Sequence, residues 1–184
     1  MKGIVFTEFL ELVETKFGIE VVDQIIEASS LESGGAYTSV GTYSFSEMLA
    51  LLTNLSEITE ISINDLLKVY AHHFFGVIEK SYAGILEMYK GPMDMISSIE
   101  SHIHVEVKKI YPDAELPRFV VVEKTENKLI LEYFSSRSMY AFAYGLMEKT
   151  FQHYNHSAAI TYELLKEDGS HVKFVILKDG QPKN

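Results

Sequence analysis

The chain has 184 residues, 47% apolar and 23% charged, with a formal net charge of −10 and no cysteine. That apolar share supports a folded core and excludes a disordered chain. The acidic balance, with no clustered Lys/Arg stripe, argues against nucleic acid or an anionic membrane as a partner, and the missing thiols exclude disulfides, Cys-ligated zinc, iron–sulfur clusters and thiol catalysis.

The opening "MKGIVFTEFLELVETKFG" is not a targeting segment, because Glu8, Glu11 and Glu14 break its apolar residues. Val5, Phe6, Phe9, Leu10, Val13 and Phe17 recur at helical steps, predicting an amphipathic helix that ends at Gly18. No apolar run is long enough to cross a bilayer, so a soluble, cytoplasmic chain is expected. "EVVDQIIEA" is a second helix, and "SSLESGGAYTSVGTYS" is a Gly/Ser-rich connection. Ser44 heads a third helix, with Glu47 placed as in a capping box. "SINDLLKVYAHHFFGVIEKSYAGILEMYKG" is largely helical, weak at Gly76 and Gly84, and stops at Gly91-Pro92. "PMDMISSIESHIHVEVKKIY" predicts one more helix, with proline at a permitted first-turn position and Ile96, Ile99, Ile103, Val107 and Ile110 as its buried stripe.

After Pro117 the period changes. "RFVVVEKT" and "KLILEYFSS" read as strands joined by a turn around Glu126-Asn127. "RSMYAFAYGLMEKTFQHYN" returns to helix, and "AAITYELLKEDGSHVKFVIL" reads as a hairpin on Asp168-Gly169. Many helices, a hairpin, a helix and a second hairpin predict an α+β fold with an antiparallel sheet of about four strands.

Two stretches carry chemistry. His102 and His104 lie two apart, so on a helix they point roughly 200° apart and flank the apolar stripe on opposite sides. Periodicity does not choose between them, and either can be a simple boundary residue. His72 and His73 read as helix surface and core edge, since no carboxylate or third histidine stands at useful spacing; His153, His156 and His171 are scattered. In "LEYFSSRSMYAF", an extended backbone would set Tyr133, Ser135 and Arg137 on one face. That row of donors suits a carboxylate or phosphate, or else it is the polar outer face of an edge strand.

Together the stretches resemble the H-NOX family, the haem-nitric oxide/oxygen binding domains related to the sensor domain of soluble guanylate cyclase. The family pattern is a histidine, a proline thirteen residues on, and Tyr-x-Ser-x-Arg beginning sixteen residues later. His104, Pro117, Tyr133, Ser135 and Arg137 fit that spacing, and counting from His102 misses it by two. The opening "MKG" and "IYP" after the ligand helix are similar to relatives as well. The resemblance implies a single H-NOX domain over 1–184, with a helical N-terminal lobe near 1–62 and a haem-carrying lobe near 63–184 that holds the four-stranded antiparallel sheet. It implies a haem b with His104 on iron, Pro117 packed on the porphyrin, and Tyr133, Ser135 and Arg137 clamping the propionates, which are costly to bury unpaired.

The resemblance also speaks to the gas. Oxygen-binding members donate a hydrogen bond from a tyrosine five residues after the motif arginine, and Phe142 stands there. Tyr140 and Tyr144 point about 200° away from Phe142 on a helix. Val5, Phe9, Phe74, Ile78 and Leu146 carry over as further apolar pocket residues. The expectation is a stand-alone bacterial-type sensor of NO, also binding CO. It would have no catalysis of its own and act on a histidine kinase or a cyclic-di-GMP synthase or phosphodiesterase. NO would weaken the bond to His104 and shift its helix. The rivals are an oxygen-binding haem sensor or carrier, a peroxidase, which the apolar distal list disfavours, and a haem-free interaction module.

Overall fold

The structure is a computed structural model that describes residues 1–179. As expected, the fold is α+β, with eight α-helices and a four-stranded antiparallel sheet among the described residues. The chain divides into two compact units, Met1–Phe74 and the part from Phe75 onward. The division falls inside a helix, α4 (Ile63–Ser81). Among the described residues no helix is long and apolar enough to cross a membrane.

The first unit holds α1 (Gly3–Phe17), α2 (Ile19–Ala28), α3 (Phe45–Thr59) and most of α4 (Ile63–Ser81). Gly18 separates α1 from α2 at φ +94°, a backbone that costs a side chain strain. Phe6, Phe9, Val13, Ile25, Met48 and Leu51 are fully buried and form the core. Ser44 caps α3 by accepting the Ser46 N–H at 3.3 Å. The expected capping box is not completed, because Glu47 turns inward. Its carboxylate is buried and accepts the hydroxyls of Ser33 and, at 2.7 Å, Tyr37. A buried carboxylate needs such donors, and the 29–44 connection supplies them.

In the second unit, α5 (Ala83–Leu86) and α6 (Pro92–Ser97) precede a single π-helical turn (Ile99–Ile103) and α7 (His104–Ile110). The predicted continuous helix over 92–111 is therefore interrupted. A π turn adds a residue to the winding and shifts the phase of everything after it. The predicted buried stripe is complete only at Ile96: Ile99, Ile103 and Val107 are half-buried, and Ile110 is 50% exposed. Strands β1 (Arg118–Lys124), β2 (Lys128–Phe134), β3 (Ala158–Leu164) and β4 (His171–Lys178) form a sheet in the order β1-β2-β4-β3. Helix α8 (Tyr140–His153) connects the two hairpins. Alternation buries Leu129, Leu131 and Tyr133 on β2 and Val172, Phe174 and Ile176 on β4, all toward one face.

Candidate functional site

His104 is the first residue of α7, directly after the π turn. Its ring lies 5.9 Å from that of Phe119, and Phe119 lies edge-on to Tyr133 at 5.4 Å, the two being cross-strand partners on β1 and β2. The Phe119 backbone N–H donates to Glu100 at 2.9 Å, tying the start of β1 to the π turn. Glu100 also lies 3.3 Å from Nδ1 of His104, yet Nδ1 is buried and has no aligned hydrogen-bond partner. Distance alone thus marks an electrostatic neighbour and not a formed bond. Burial holds the imidazole below its usual pKa, against the opposing pull of Glu100. A neutral, half-buried imidazole is the form that binds a metal ion.

His102 faces elsewhere. Its Nδ1 is 2.5 Å from the Tyr89 hydroxyl, and its Nε2 is 3.9 Å from Glu106. The two histidines are thus separated by partners as well as by angle.

Tyr133, Ser135 and Arg137 do come together, but not along an extended strand. Strand β2 ends at Phe134, and residues 135–138 form a turn in which Ser138 N–H donates to Ser135 O at 3.2 Å. Arg137 N–H donates to Ser135 Oγ at 3.2 Å. Tyr133 is buried, which raises the pKa of its hydroxyl, against the opposing influence of the nearby Ser135 side chain, Met139 backbone and Arg137 charge. A chain reversal therefore achieves what alternation was expected to do. The hairpin between β3 and β4 holds this turn: Ser135 N–H donates to Ser170 O at 3.0 Å. Gly169, at φ +74°, sits so close to Tyr140 that an added β-carbon would meet its ring at 2.8 Å.

Arg137 donates to the Glu115 carbonyl at 2.7 Å and to the Glu115 carboxylate, which is otherwise exposed. The fork thus already receives a carboxylate, as a propionate clamp requires. Pro117 is half-buried two residues before Phe119. These residues suit a haem: a neutral imidazole for iron and a guanidinium–hydroxyl set for propionates.

The other carried-over positions divide by unit. In the first, Phe9 is fully buried, Val5 and Phe74 are half-buried, and all three gather around Tyr70. Tyr70 is edge-on to Phe9 at 5.4 Å and to Phe74 at 5.9 Å, and its hydroxyl donates to the Val5 carbonyl at 2.5 Å. In the second, Ile78 is half-buried on α4, and Phe142 and Leu146 are half-buried one helical turn apart on α8. Tyr140 and Tyr144 pack on Tyr162 of β3 at 5.2 and 6.0 Å, and Tyr144 donates to Ile160 O at 3.4 Å. That is the face of α8 away from Phe142.

Sequence reading missed Phe119, Glu100 and Tyr70. The alternation in "RFVVVEK" could have picked out Phe119; no local signal pointed to the other two. His73 does stand at the edge of the core, but the reading missed its carboxylates: its Nε2 lies 3.3 Å from Glu8 Oε2 with Glu11 nearby. The carboxylates come from another helix, where spacing along the chain cannot show them.

The family model described as "Haem-NO-binding" matches residues 2–162. No curated protein matches the chain. Among solved structures, the Fe(II) unliganded H-NOX protein from K. algicida is 63% identical, with a TM-score of 0.98 over 100% of both chains. The H-NOX from Shewanella woodyi in the Fe(II)CO state, bound to IWP-051, is 34% identical over 100% of this chain and 97% of that one, with a TM-score of 0.83. An H-NOX protein from S. oneidensis in the Fe(II)NO state shares the fold at 22% identity and a TM-score of 0.88, over 98% of this chain and 100% of that one. By the family match and these identities, the chain belongs to the haem-NO-binding H-NOX family of haem-based gas-sensing domains.

Proposed function

We propose that this chain is a nitric oxide sensor that carries haem b with His104 as the iron ligand. The observation that supports it most is the convergence of His104, Phe119 and Tyr133 beside the Ser135–Arg137 turn. A bound haem would supply a ferrous iron able to bind NO or CO. His104 would hold that iron. Tyr133, Ser135 and Arg137 would take the propionates, Arg137 exchanging the exposed Glu115 carboxylate for one of them. Pro117 would pack on the porphyrin, and Ile78, Phe142 and Leu146 would supply apolar lining.

Selectivity for NO follows from donors directed elsewhere. Bound oxygen is polar and gains from a hydrogen-bond donor, whereas NO does not need one. Phe142 has no donor to offer, and Tyr140 and Tyr144 face β3. Tyr70 is the one observation favouring an oxygen-binding alternative, since its hydroxyl lies among carried-over pocket residues; its proton is committed to the Val5 carbonyl. The signal would leave through α7, whose side chains are only partly buried. It would reach a separate histidine kinase or a cyclic-di-GMP synthase or phosphodiesterase in a bacterial cytoplasm, and the chain itself would catalyse nothing.

The test is to equilibrate the reduced protein with NO, CO and air and follow its visible spectrum. NO and CO should each change it, and air should produce no lasting oxygen-bound form. A long-lived oxygen spectrum that Tyr70→Phe abolishes would replace this reading with the oxygen one. Absence of any haem band would leave only an interaction module.

A further inference from the structure

We propose that Glu8, Glu11 and His73 form a site for a first-row divalent cation of the zinc class, apart from the haem reading. Their ligand atoms all lie within 4.8 Å of one another. His73 Nε2 and Glu8 Oε2 are 3.3 Å apart. Metal–nitrogen and metal–oxygen bonds of about 2.0–2.1 Å give a tetrahedral ligand–ligand edge of about 3.3–3.4 Å, so this pair already stands at ligand spacing.

The backbone is arranged to hold them there. Glu8 and Glu11 lie three apart on α1 and so share a face. Three residues before Glu8 and three before His73, the Tyr70 hydroxyl bonds the Val5 carbonyl at 2.5 Å and pins α1 to α4. Phe9, next to Glu8, packs edge-on against Tyr70, and both rings are fully buried. The ligand-bearing turns are thus fixed by core packing, and only side-chain rotamers need adjust. Such preorganisation separates a site from a chance surface cluster.

Charge points the same way. A His–Glu ion pair would account for His73 and Glu8 but not for Glu11. Among the described residues Glu11 makes no ion pair or side-chain hydrogen bond, although it sits beside a second carboxylate. A divalent cation would neutralise both carboxylates and use the imidazole. His73 and Glu8 are mostly shielded, with side chains 24% and 19% exposed, while Glu11 is open to solvent and leaves an entry path. Two oxygens and one imidazole nitrogen suit zinc, cobalt or manganese, with water completing the shell. Occupancy would staple α1 to α4.

Zinc titration of the full-length protein as purified, in chelator-treated buffer and followed by calorimetry, tests this. One zinc per chain should bind at micromolar concentration. Glu11→Gln should weaken it by at least about tenfold, the lower end of what even a supporting residue contributes to a metal site, and His73→Ala should remove it. His153→Ala, which breaks the single-carboxylate pair with Glu79, should leave it unchanged. Glu11 is exposed, so its substitution cannot act through folding. Binding unchanged in Glu11→Gln would overturn the three-ligand site, as would no binding by the wild-type protein at about 100 μM zinc, far above the concentration expected to fill it.

Discussion

The sheet and the segment that bears His104 lie in the same unit but are held very differently. On β2 and β4, Leu129, Leu131, Val172, Phe174 and Ile176 are completely buried. From Ile99 to Ile110 no residue is buried, and the winding changes from π to α at the histidine itself. Both regions contribute to the proposed grip, Tyr133 from the first and His104 from the second. The contrast teaches which half can move. Displacing β2 would break packing around a full row of completely buried apolar side chains, whereas the side chains of α7 are at most partly buried, so displacing it forfeits less.

Four predictions, resting on six substitutions, can break or sharpen this contrast. The largest effect should come from His104→Ala, which is expected to abolish haem retention, read as the ratio of haem to protein absorbance. His102→Ala loses the contacts with Tyr89 and Glu106 and should retain haem. The reverse result would mean that the register is wrong and that Tyr133, Ser135 and Arg137 lose their assignment.

Next in size, Leu131→Ala should lower unfolding stability by about 2–5 kcal/mol, the range for a buried leucine. Ile110→Ala on α7 should cost no more than about 0.5 kcal/mol. Denaturant unfolding of both gives the comparison directly, and equal losses would show that α7 is as firmly packed as the sheet.

Arg137→Ala should come third. It removes a charge-assisted carboxylate contact worth about 1.5–3 kcal/mol, so haem should dissociate faster while the fold persists. Wild-type dissociation would reduce Arg137 to the partner of Glu115 seen here.

The smallest effect belongs to the first unit. Burial, with help from Glu47, holds the Tyr37 hydroxyl well above its ordinary pKa of 10.0. A raised folded pKa means that the neutral phenol is favoured. Its stabilisation is therefore full below about pH 10 and is lost as pH rises beyond that. Thermal melts across that range should fall less steeply for Tyr37→Phe than for wild type. Equal slopes would remove Tyr37 as the source.

Legibility in the sequence followed the range of the interactions. The Phe6–Phe9–Val13 periodicity marked α1, and the alternation of Leu129, Leu131 and Tyr133 marked β2, because burial imposes those periods locally. The π turn was invisible, since "IESHI" has nothing to distinguish it from α-helix composition. Glu47 looked like a cap because Glu at that spacing often is one, and only Ser33 and Tyr37, brought in by a loop, draw it inward. Choosing His104 over His102 required the spacing to Pro117 and Tyr133 that the H-NOX resemblance supplied. The structure then gives the two histidines different neighbours, Phe119 and Tyr89.

The bond between Ser135 and Ser170 has a consequence for the order of events during synthesis. The turn carrying Ser135 and Arg137 leaves the ribosome before the β3–β4 hairpin residue, Ser170, that holds it. Contacts between distant positions must wait for the later partner. The clamp is therefore incomplete while α8 and β3 are being made, and cofactor capture should follow synthesis of that hairpin rather than precede it. Ribosome-arrested chains ending before Ser170 should fail to take up haem, and uptake by such chains would refute that order.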